Sequence, residues 1–148
     1  MATLTHWECD KCGAPVTAAD GYVVWDRIGD DDYSEFSIIH QSKCDDDTCN
    51  SSLPLADFLG ADGAARLTSF LSLGPVILTH SSSGGDRLPK HSLTGWVDFF
   101  RRVQIPGYEE ARKNLRDIRT AETLSDWNEV APYTAVALQD IAAGVYTV

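Results

Sequence analysis

The stretch 37-SIIHQSKCDDDTCN-50 decides how the first part of this 148-residue chain is read. It opens on strand-forming residues and then presents His40, Cys44 and Cys49 in quick succession. Upstream, 8-ECDKCG-13 places Cys9 and Cys12 around a two-residue gap. These are five candidate metal donors in a chain with only four cysteines. A chain with no signal-peptide pattern near its start is expected to be cytoplasmic, where thiols stay reduced, so clustered cysteines point to metal before disulfides.

Zinc takes four soft or borderline donors in a tetrahedron. A C-x2-C pair suits it because one tight turn aims both thiolates at a point, and Gly13 relieves the backbone crowding beside them. The second pair must come from residues 40–49. Two sets compete. The expected one is Cys9, Cys12, His40 and Cys44; the alternative uses Cys49 in place of His40, so that every thiol binds. The H-x3-C spacing puts both donors about one helical turn apart, or around a tight bend at a strand end. The C-x4-C spacing is looser and encloses the solvated acids Asp45, Asp46 and Asp47. His6 is a spare donor, expected at the surface. A redox dithiol is the rival for Cys9 and Cys12, but that chemistry normally opens a helix in a βαβ setting, which this sequence lacks.

The hairpin expected between the two pairs brings residue 40 back beside residue 9. Residues 21-GYVVWDRI-28 and 34-SEFSIIHQ-41 are rich in β-branched and aromatic side chains, and 29-GDDDY-33 supplies the turn. Such a hairpin is marginal alone and needs a cross-link or a packing partner.

Residues 6–50, through Cys9, Cys12, Gly13, His40 and Cys44, resemble the zinc-ribbon and treble-clef group. That resemblance implies a small module held by a structural zinc ion and presented to proteins or nucleic acids. The second pair departs from the C-x2-C usual in that group.

Downstream the pattern turns helical. A short turn is expected over 53–60, a helix over 62–75 capped by Asp62, and an extended segment over 76–80. A polar loop follows over 81–91. Trp96, Phe99, Phe100 and Val103 recur at helical spacing over 94–105, as core and not as a binding box. Pro106 starts a helix expected to run to 120, and a last helix, interrupted near Pro132, ends at Gly144. The expected class is α+β: a zinc-binding hairpin module over 1–52, then a mostly helical region over 53–148 packed on it.

Net charge is −10, and residues 1–60 carry −9 of it, from twelve acids and three bases. An acidic surface repels a phosphate backbone, so nucleic acid is disfavoured as a partner of that part. Residues 101–119 reverse the balance with six bases, Arg101, Arg102 and Arg112 among them, and three acids. These arginines could meet nucleic acid; docking on the chain's own acidic module, or an ordinary charged helix face, is the preferred reading. The runs Asp30–Asp32 and Asp45–Asp47 lack the pattern of a calcium loop and read as solvated turns. His80, Asp86 and His91 around the Ser/Gly loop could serve a small enzyme, but no nucleophile elbow supports it. The function expected is therefore non-enzymatic: a protein-interaction or regulatory module with a structural Zn2+, and no catalytic residue.

Overall fold

The structure is a computed structural model that describes residues 4–28, 32–72, 93–115, 117 and 131–145. The chain divides into two compact units, Thr5–Gln104 and Ile105–Val148 with residues 1–4. The class is α+β, with antiparallel sheets in the N-terminal region and the helices mostly later.

The first unit begins with two short strands, β1 (Trp7–Glu8) and β2 (Pro15–Val16), paired antiparallel. The expected hairpin follows as β3 (Gly21–Ile28) and β4 (Asp32–His40), in register from Gly21 opposite His40 to Ile28 opposite Asp32. The register shifts between Val24 and Asp26, so Glu35 and Phe36 together oppose Trp25. Glu35 absorbs the extra residue of this bulge with φ of 59°.

The segment 53–60 differs from expectation. Leu53 and Pro54 close a third strand, β5 (Ser51–Pro54), on the free edge of β3, and a 3-10 turn covers Leu55–Phe58. Asn50 explains the strand. Its side-chain amide accepts from the Arg27 N–H at 2.8 Å and donates to the Arg27 carbonyl at 2.9 Å. It thus imitates a strand residue and starts the ladder. Ser51, Ser52 and Pro54 have little strand propensity of their own, so tertiary pairing wins over local preference.

Side chains alternate across the sheet, and Val23, Trp25, Phe36 and Ile38 share one face. Helix α1 (Gly60–Ser69) starts two residues before the expected cap, with Asp62 inside its first turn, and buries Leu67. Helix α2 (Leu93–Gln104) buries Trp96, Phe99, Arg102 and Val103. Phe99 stacks on Phe36 with ring centroids 5.0 Å apart and meets Phe58 edge-on at 5.2 Å. The aromatic stripe of α2 is core.

The second unit contains α3 (Tyr108–Arg112), a 3-10 turn at Ala131–Tyr133 and α4 (Ala135–Ala143). Tyr108, Ala111, Leu138 and Ile141 form its core. Helix α3 is much shorter than the expected 106–120. After Arg112 the backbone bonds tighten to i→i−3, and Asn114 turns its amide to the Ile141 carbonyl at 2.8 Å. Gly144, at φ 71°, ends α4 as expected. The expected extended segment 76–80 and loop 81–91 lie outside the described residues. Among the described residues no helix is long and apolar enough to cross a membrane.

Candidate metal centre

The strands β1 and β2 pair Trp7 with Val16 and Glu8 with Pro15, and so bracket the turn that carries Cys9 and Cys12. Within it the Cys9 N–H donates to the Ala14 carbonyl and the Gly13 N–H to the Cys9 carbonyl, both at 2.9 Å. Gly13 has φ of 75°, a conformation that glycine adopts without the Cβ penalty. Trp7 and Val16 are buried and anchor this ribbon. Gly21 lets it approach the hairpin: a Cβ there would stand 2.6 Å from Leu55 Cδ2 and 2.8 Å from Val16 Cγ1. Asp10 then ties the turn to β4. Its N–H donates to the Ile38 carbonyl at 2.8 Å, and its carboxylate accepts from the Ile38 N–H at 2.7 Å.

Two residues beyond Ile38, the strand delivers His40 to the Cys9–Cys12 turn. The donor atoms of Cys9, Cys12, His40 and Cys44 all lie within 4.8 Å of one another. His40 Nδ1 is 3.4 Å from Cys12 Sγ and 3.6 Å from Cys44 Sγ. A tetrahedral zinc ion with ordinary bond lengths would set a sulfur–nitrogen edge of about 3.6 Å and a sulfur–sulfur edge of about 3.8 Å. The two sulfur–nitrogen distances match, and the 4.8 Å limit asks for only a modest contraction elsewhere.

The other ring nitrogen supports the same geometry. His40 Nε2 is 3.0 Å from the Pro15 carbonyl. A carbonyl can only accept, so Nε2 carries the proton and donates. That leaves Nδ1 facing the thiols, where its lone pair can serve a metal. Histidine ligands are commonly oriented in this way by a backbone carbonyl.

The electrostatics also suit a cation. Burial pushes the Cys9 thiol up, but the backbone N–H groups of Cys12, Lys11 and His40 outweigh it and bring its pKa down to about 6. Cys44 is raised to about 11, first by burial and then by the Cys9 and Cys12 thiols beside it. Crowded thiols resist becoming thiolates together, and a bound cation relieves that repulsion.

Cys49 is not in the group, and burial with nearby Asp26 raises its pKa. His6 is exposed and contacts the Thr5 hydroxyl at 3.0 Å. Asp45 and Asp46 accept from backbone N–H groups two residues on, forming solvated turns. Asp46 also pairs with Lys11 at 2.6 Å, tying the Cys44 loop to the Cys9–Cys12 turn. His80, Asp86 and His91 lie outside the described residues, as do Asp30 and Asp31 and the side chain of Asp32.

Sequence reasoning missed three supporting groups: the Pro15 carbonyl, Asp10 and Arg102. Arg102 is buried and pairs with Asp10 at 2.7 Å, so its charge is used inside the first unit. No local signal could have found this pair, because its members are 92 positions apart.

No family model, curated protein or solved structure matches this chain.

Proposed function

We propose that Cys9, Cys12, His40 and Cys44 hold one structural Zn2+ in a non-enzymatic protein that serves protein interaction or regulation. The observation that carries the reading is the convergence of three thiols and one correctly oriented imidazole within 4.8 Å. Three sulfur donors and one nitrogen favour zinc over hard cations, which prefer oxygen. Four protein donors fill a tetrahedron and leave no position for water or substrate, which is the mark of a structural site. The −9 charge of residues 1–60 favours a basic protein surface over a phosphate backbone as partner.

The test is metal content and stoichiometry on wild type, His40→Ala and Cys49→Ala purified in parallel. The reading requires one zinc per chain in wild type and in Cys49→Ala, with loss in His40→Ala. The reverse pattern would establish an all-thiolate site, and a metal-free wild type would end the structural-zinc reading. Salt-dependent retention on heparin or duplex DNA would overturn the protein-partner part.

A further inference from the structure

We propose that Arg102 is a positioning residue of the metal centre, acting through Asp10 and Glu8 to hold Cys9 in place. The inference rests on the zinc reading above. Arg102 is 1 % exposed, a fully buried cation on α2. Its Nη1 donates to Asp10 Oδ2 at 2.7 Å and its Nη2 to the Glu8 carbonyl at 3.0 Å. Its own carbonyl accepts the Trp7 indole N–H at 2.8 Å. These bonds grip residues 7, 8 and 10, on both sides of Cys9.

The same Asp10 oxygen accepts the Ile38 N–H, two residues before His40. One guanidinium therefore organises both halves of the donor set: the turn that supplies Cys9 and Cys12, and the strand that supplies His40. Arginine suits this because its planar fork serves a carboxylate and a carbonyl together, which a lysine ammonium on a flexible stem does poorly. Groups behind the ligands matter because they fix ligand orientation before the metal arrives. Metal binding and α2 docking are then linked, and each strengthens the other reciprocally.

The test uses the full chain. Zn2+ affinity is measured by competition with a chromophoric chelator for wild type, Arg102→Gln, Arg102→Lys, Asp10→Asn and Gln104→Ala. Apo and zinc-loaded melts run beside it. Gln104 is the control on the same helix, since its amide donates to the Phe58 and Gly60 carbonyls, away from Cys9. Arg102→Gln should weaken zinc binding by about 10- to 100-fold, with Asp10→Asn moving in the same direction. Arg102→Lys should recover part of the loss, and Gln104→Ala should lower the melting temperature without changing zinc affinity.

Wild-type zinc affinity in both Arg102→Gln and Asp10→Asn, with only the melting temperature lowered, would make the pair purely structural and overturn the proposal. Where Arg102→Gln does not fold, Asp10→Asn decides by the same criterion, because it removes the charge and keeps the shape. A wild type that binds no zinc takes down the metal reading itself, whereas normal wild-type binding with unaffected variants sinks this inference alone.

Discussion

On the zinc reading proposed above, removing the metal should cost this protein a cross-link, and the size of the loop it closes sets the magnitude. Cys12 and His40 are 28 positions apart, and their donor atoms are 3.4 Å from each other. Treated as a chain-entropy problem, closing a loop of that length contributes about 3.5 kcal/mol at 25 °C. For a unit the size of Thr5–Gln104, each kcal/mol moves the melting temperature by roughly 4–8 °C, so chelation should lower it by roughly 14–28 °C. The assay is a thermal melt by circular dichroism with zinc present and with excess chelator, with metal content measured on each sample. His40→Ala should melt in zinc close to the chelated wild type, and Cys49→Ala should keep the full zinc-dependent shift. A wild type that has lost its zinc yet melts unchanged would refute the cross-link argument. Loss of the shift in Cys49→Ala with its retention in His40→Ala would refute the choice of donors.

Zinc binding should weaken as pH falls, because protons compete for the thiolates. Cys44, raised to about 11, must release its proton to bind metal across the neutral range, and below about pH 6 Cys9 must do so as well. Affinity should therefore rise with pH, more steeply below 6 than above; a flat profile between pH 5 and 8 in chelator competition would contradict this. Gly63→Ala should destabilise by about 1–3 kcal/mol in urea despite alanine's helix preference, since overpacking dominates. The new Cβ would stand 2.1 Å from the Phe58 carbonyl carbon, which is backbone and cannot rotate aside. Asn114→Ala should cost about 1 kcal/mol by removing the bond to the Ile141 carbonyl, read from the urea transition.

The two halves of the candidate metal group were legible in different degrees. The Cys9–Cys12 pair and its glycine can be read directly, because a single turn governs their geometry and Gly13 does adopt the positive φ that it permits. The hairpin was equally legible, since strand-forming residues on both sides of a Gly/Asp turn leave little choice of pairing. Helix α2 announced itself through Trp96, Phe99 and Val103, whose burial follows their spacing. By contrast β1, β2 and β5 are too short and too weak in propensity to be seen locally. They exist because another strand, or the Asn50 side chain, supplies their hydrogen bonds. Helix α3 was overestimated because its apolar spacing continues past Arg112, while Asn114 is drawn off to α4.

Sequence alone determined the candidate donor types, the two clusters that hold them and the hairpin that joins those clusters, because each depends on neighbours within a turn or a strand. Only the tertiary structure decided that His40 sets Nε2 against the Pro15 carbonyl and Nδ1 toward the thiols, that Cys49 stays apart, and that Arg102 grips the Cys9 turn. Those outcomes depend on which distant surfaces pack together, and the energy of such contacts is set by burial and geometry that no short window of residues contains.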